Sequence, residues 1–238
     1  MINFKKKEMI KGTAEHIFYL LENIELNDEG NIVRLPKTYY EQKERVLKKD
    51  KVKLCEIKEI VELNKRSIYT NLTEALYRKN NTRMGLYYDI TSKIVYVKFD
   101  NFDTELISEV IEIIKRGLDK GKKKLVIDLK NNCGGNVENC ARLLDLFIES
   151  DSLFELYYSN KQVKYVASSC EKTSYSEIEI LTSEYTMSSA EIFTDAMSKA
   201  SNVFVPNRDR FNKKTGQSVY YFKSEKIAFK VNSFYWEV

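Results

Sequence analysis

The chain has 238 residues, 43% hydrophobic and 31% charged, which is ordinary usage for a globular protein with a real core. Its net charge of +4, from 39 Lys and Arg against 35 Asp and Glu, is too slight for a dedicated nucleic-acid binder. The single histidine, His16, gives a Ser-His-Asp triad or a multi-histidine metal site almost nothing to draw on. The eight glycines show no GxGxxG or GxxxxGK[ST] spacing, which excludes the standard dinucleotide and P-loop cradles.

The N-terminus, Met1-Ile2-Asn3-Phe4-Lys5-Lys6-Lys7, has no apolar stretch behind its lysines, so it does not read as a signal peptide. No apolar run approaches the roughly 18 residues that span a bilayer. If the chain is full length, a cytoplasmic location is expected. Cys55, Cys133, Cys140 and Cys170 are scattered with no CxxC pair, so free thiols are expected rather than a zinc ribbon or a disulfide scaffold. The lysine clusters are broken by acids or isolated, as on solvated faces.

Residues 1–85 are poor in strand signals and predict a mainly helical N-terminal segment. Ala14 to Asn23 reads as a helix with Ile17, Phe18, Leu20 and Leu21 inward. Tyr39 to Val61 reads as one charged helix, and Asn71 to Arg78 as another. Residues 86–238 then alternate strand and helix. Ile94 to Phe99 alternates with period two, Lys124 to Leu129 is a continuous apolar run, and Glu177 to Thr182 is a further strand. A helix starts at Asp103 or Thr104, and Gly117 is placed at its end. A second helix puts Val137, Cys140, Ala141 and Leu144 on one face, and a third spans Ser188 to Ser198. Leu153 to Tyr158 and Gln162 to Ala167 form a hairpin. Val203 to Val205, Val219 to Phe222 and Ile227 to Val231 supply short closing strands. This alternation predicts an α/β fold with right-handed crossovers.

In such a sheet ligands meet loops beyond the C-terminal strand ends. Two loops qualify, 130–136 and 183–188, and each delivers a helix N-terminus, whose free amides favour negative charge. Ser188-x-x-Glu191 fits a capping box. It also fits a nucleophile whose oxyanion would be held by the helix start. Gly134-Gly135 fits a plain βα turn. It also fits an oxyanion hole, because bare glycines let backbone amides face a ligand.

Taken together, Asp128-Leu129-Lys130-Asn131-Asn132-Cys133-Gly134-Gly135 and, about fifty residues on, Thr186-Met187-Ser188-Ser189-Ala190-Glu191 resemble the tail-specific (C-terminal-processing) serine peptidases. Members of that family carry D-L-R-N-N-x-G-G and then T-x-S-S-A-E or T-x-S-A-S-E. The resemblance covers about residues 86–235. It implies a crotonase/Clp-protease-like core of strand-helix units and a Ser-Lys dyad. Ser188 would be the nucleophile and Lys213 the general base. Gly134 or Gly135 would form the oxyanion hole with the amide of Ser189. Lys214 is the rival base, one residue along. A serine hydrolase without an available histidine needs another base, and lysine serves once burial has made it neutral.

The sequence departs from the family's pattern in places. Asn212 stands where a glycine usually precedes the lysine, Lys199 stands at an often acidic position, and no PDZ-like segment is recognisable. Most relatives are exported. The expected activity is a serine-type endopeptidase acting on a peptide or protein through an acyl-enzyme, with no metal or organic cofactor and no nucleic-acid partner. The oligomeric state is left open. The alternatives are a catalytically inactive peptide-binding or scaffolding relative and, last, an acyl-thioester enzyme of the crotonase type.

Overall fold

The computed structural model of the chain describes residues 8–27, 29–65, 70–73, 85–149, 152–168, 172–206 and 214–238. It divides into two units. The first takes Met1–Thr82, Tyr157–Lys161 and Lys214–Tyr235, and the second takes Arg83–Leu156, Gln162–Lys213 and Trp236–Val238. Residues 214–235 are grouped with the N-terminal residues in the first unit.

In the first unit, β1 (Glu8–Met9) pairs antiparallel with β2 (Val52–Lys53). Helix α1 (Lys11–Asn23) buries Ala14, Ile17, Phe18, Leu20 and Leu21, the face its 3–4 spacing marks as apolar. The segment expected as one helix from 39 to 61 is instead two, α2 (Lys37–Leu47) and α3 (Leu54–Asn64). The break falls on Lys48-Lys49-Asp50-Lys51, four polar residues with no apolar face to bury. Asn71–Thr73 is not helical either. It forms β3, which pairs with β12 (Ile227–Glu237), a partner far along the chain that overrides local propensity. The rest of that expected helix lies outside the described residues. β11 (Thr215–Phe222) pairs antiparallel with β12, so both closing strands are longer than the sequence suggests. Ile227, Phe229 and Val231 of β12 pack into one core with Phe18, Tyr39 and Ile57. This burial explains why the C-terminal hairpin belongs to the helical unit.

The second unit is built on a five-stranded sheet of order β10-β9-β6-β5-β4. These strands are β4 (Leu86–Ile90), β5 (Ile94–Phe99), β6 (Lys124–Asp128), β9 (Glu177–Leu181) and β10 (Val203–Phe204). β5, β6, β9 and β10 run parallel, and β4 is an antiparallel edge. The remaining strands, β7 (Phe154–Tyr158) and β8 (Gln162–Tyr165), form the expected hairpin. Helix α4 (Thr104–Asp119) is capped by Asp103, whose carboxylate accepts the Glu105 amide at 3.0 Å. It does not end at Gly117. That residue sits inside the helix because a Cβ there would lie 2.2 Å from Val95 Cγ2. The left-handed turn is made by Gly121, at φ +71°. Asn136 caps α5 (Val137–Leu144), and Ser188 stands at the N-cap of α6 (Ser189–Met197). The α/β core expected from strand–helix alternation is therefore present. No described helix is long and apolar enough to cross a membrane.

Candidate active site

β6 and β9 are neighbours in parallel register, with Asp128 opposite Leu181, so the loops that leave their C-terminal ends start side by side. The loops stay joined beyond the strands. Leu129 N–H donates to Leu181 O at 2.8 Å, Thr186 Oγ1 to Leu129 O at 2.8 Å, and Met187 N–H to Asn132 O at 3.0 Å. The Ser183 hydroxyl donates to Lys130 O, and the Ser189 hydroxyl to Gly135 O at 2.9 Å. Two turns some fifty residues apart thus form one surface.

The tightest point is Gly134. A Cβ built there would lie 2.6 Å from Ser188 Cβ, 2.6 Å from Met187 O and 3.0 Å from Ser189 N. Its φ of +91° is also one that L side chains rarely adopt. A glycine is required on both counts. The structure therefore puts the bare α-carbon of the Gly-Gly turn against the serine that opens α6.

Ser188 is half-buried and has φ 57° and ψ −123°. It is one of two described non-glycine residues at positive φ, a conformation held only where the surroundings enforce it. The reciprocal bond of the capping box is made: Glu191 accepts the Ser188 amide at 2.6 Å. The serine oxygen stands at the Glu191 amide, as the capping box requires, and that amide also donates to Ser188 O at 2.8 Å. Capping engages the hydroxyl oxygen only as an acceptor, which leaves its proton for another partner.

The amides around it divide clearly. Gly134 N–H donates to Asn132 Oδ1 at 2.8 Å. The amides of Gly135 and Ser189 have no protein acceptor among the described residues. Gly134 O accepts from Phe102 N–H at 3.0 Å, and no peptide among the described residues is cis, so Gly135 N–H points away from Phe102. The Ser189 amide lies in the first turn of α6, at the positive end of the helix.

Lys213 lies outside the described residues, as do Arg208 and Arg210 beside it. Lys214 is exposed and immediately precedes β11. Cys133 is exposed in the glycine loop. Cys140 is buried, donating to Ser189 O at 3.3 Å, and burial pushes its thiol well up. Among the described residues no three His, Cys, Asp or Glu side chains gather as a metal site would need.

Sequence reasoning gave no role to Asn132, Phe102 or Asn139. Asn139 Nδ2 donates to Phe102 O at 3.0 Å, and so fixes the segment on which Gly134 and Gly135 rest. Asn132 sits in an asparagine pair, Phe102 three residues past β5 and Asn139 in the first turn of α5, and none of them becomes specific until the acceptors are known.

The chain resembles known proteins in sequence and in fold. The sequence model described as Peptidase family S41 matches residues 93–237. A probable CtpA-like serine protease from Staphylococcus aureus is 24% identical over 139 residues, which is 57% of this chain and 28% of that protein. The chain thus spans under a third of the length of that curated relative. A lipoprotein from Streptococcus agalactiae has a similar fold, with TM-score 0.69, 17% identity, and coverage of 95% of this chain and 85% of that one. The photosystem II D1 C-terminal processing protease is similar at TM-score 0.51 and 15% identity, covering 74% and 45%.

Proposed function

The chain belongs to peptidase family S41, and from that premise we propose that it is a serine-type endopeptidase whose nucleophile is Ser188 and whose general base is Lys213. The observation that carries the reading is the contact of Gly134 with a serine held at φ 57° at the start of a helix. Ser188 Oγ attacks the scissile carbonyl carbon while its proton passes to the neutral Lys213 amine. The carbonyl oxygen becomes an oxyanion and takes hydrogen bonds from the Gly135 and Ser189 amides, with the helix dipole behind them. The C–N bond breaks, the ammonium returns the proton to the leaving amine, and an ester remains on Ser188. Water, deprotonated by the same amine, then hydrolyses that ester. Gly134 contributes by its missing side chain rather than by its amide, which is already engaged. Lys214 is the alternative base. The substrate is an extended peptide or protein segment.

A fluorophosphonate probe tests this reading. Ser188 is expected to be labelled, the label to vanish in Ser188→Ala, and the rate to fall in Lys213→Ala. A folded protein that leaves Ser188 unlabelled overturns the enzyme reading. If it still binds peptides, it is the non-catalytic binding relative that the departures at Asn212 and Lys199 also accommodate.

A further inference from the structure

We propose that Asn132 is the positioning residue of this site: it holds the glycine loop and the nucleophile turn in one register and reserves Gly135, not Gly134, as the oxyanion donor. The proposal rests on the peptidase reading for its kinetic part, but the geometry stands without it.

Asn132 is fully buried, and each of its main polar groups is directed to a different piece of the site. Its side-chain Nδ2 donates to Phe99 O, at the end of β5, at 3.0 Å. Its Oδ1 accepts Gly134 N–H at 2.8 Å, closing a turn two residues on. Its own amide donates to Leu129 O at 2.9 Å, and its carbonyl accepts Met187 N–H at 3.0 Å, the residue before Ser188. One side chain and its backbone thus tie β5, the loop after β6 and the loop after β9 together.

The consequence concerns which amides remain. Two successive glycine amides could face an oxyanion, and both lie in a segment whose dihedrals only glycine tolerates. Nothing in the glycines themselves selects between them. Asn132 does so by capturing the Gly134 amide, and Phe102 completes the selection by holding Gly134 O. The next amide, that of Gly135, is left pointing away from Phe102. Without the Asn132 side chain, Gly134 N–H and Phe99 O would both lose a buried partner, and the Gly134 peptide plane would be free to rotate.

Two experiments test this. Amide hydrogen exchange of the full chain is expected to show Gly134 protected and Gly135 exchanging at least about tenfold faster, because a buried acceptor holds only the first. Gly134 exchanging as fast as Gly135 overturns the assignment, whatever Ser188 does. Second, fluorophosphonate labelling per folded molecule is expected to fall about a hundredfold in Asn132→Ala, while affinity for a non-covalent peptide changes little. Labelling within about threefold of wild type sinks the positioning role.

Asn132→Asp separates positioning from mere stability. Ionised, the carboxylate accepts from Gly134 but cannot donate to Phe99 O; protonated, it does both. Burial raises the carboxyl's pKa, so the labelling rate of Asn132→Asp relative to wild type is expected to rise as pH falls. A ratio that does not change with pH refutes the two-bond clamp. If wild type exchanges as expected but Ser188 never labels, the peptidase reading fails and the clamp survives as geometry.

Discussion

Gly134→Ala puts the central contact to a quantitative test. The new Cβ would start 2.6 Å from Ser188 Cβ and 2.6 Å from Met187 O. Carbon atoms pack at about 3.5 Å, so the two turns must part by about 0.9 Å before the methyl fits. Neither neighbour is the free end of a flexible side chain, since one is backbone and the other is the first atom of a strained residue. Overpacking of this kind costs roughly 1–3 kcal/mol, and a left-handed backbone adds about 1 kcal/mol. At roughly 2–4 °C per kcal/mol for a chain of this size, the melting temperature should drop by roughly 4–16 °C. A displacement near 1 Å between a nucleophile and the groups that receive its oxyanion costs about a hundredfold in rate. The assay is fluorophosphonate labelling of Ser188 well below the melting temperature, alongside thermal unfolding. Gly117→Ala is the control, because its Cβ would meet Val95 Cγ2 at 2.2 Å and Tyr175 Oη at 2.7 Å, neither in the two loops. It should lose comparable stability and keep its labelling rate. If Gly134→Ala labels at the wild-type rate, or if Gly117→Ala slows as much, the contact does not position the nucleophile.

Three further outcomes follow from the same coordinates. Ser188→Gly should raise stability by about 1 kcal/mol, because it releases the positive-φ strain of a Cβ-bearing residue, less the extra chain entropy of glycine. Ser188→Ala keeps the strain and should be near neutral; equal urea midpoints for the two would argue against stored strain. Gln217, four residues past Lys213, has a buried Nε2 with no partner among the described residues. Gln217→Leu should therefore hold or improve stability, by up to about 1 kcal/mol, because it removes an unpaired buried amide. A clear loss of stability in urea unfolding would show that the amide is satisfied in the folded state. Tyr175 is buried with its hydroxyl donating to Ile114 O at 2.6 Å, and burial pushes its phenol up to about 12. The folded state thus keeps this proton where the unfolded chain, near pKa 10, releases it. Stability is full below about pH 10 and declines toward pH 12, and Tyr175→Phe should flatten that decline in alkaline unfolding curves.

What could be read from the sequence follows how local each signal is. β6 is legible because a strand buried on both faces reads as a continuous apolar run, as Lys124 to Leu129 does, and β5 because its burial alternates with period two. The two loops are legible for a related reason. A close approach between backbones demands glycine, and a helix start demands a small polar residue, so both leave their mark where they act. Gly117 shows the limit of that logic. Read locally it is a helix stop, but its reason is Val95 on a neighbouring strand, while the actual stop signal is Gly121. β3 and the C-terminal hairpin fail for the same cause at longer range, since the partner of Asn71–Thr73 lies at residues 228–230 and no local period encodes it. Asn132 sits between these cases. Its neighbours make the motif recognisable, yet its work is done on Phe99, Gly134 and Met187, and only the last two lie in loops that the motif names. A motif therefore marks residues whose own backbone or side chain makes the close contact. The residue that makes those atoms converge is identifiable only from what accepts its hydrogen bonds.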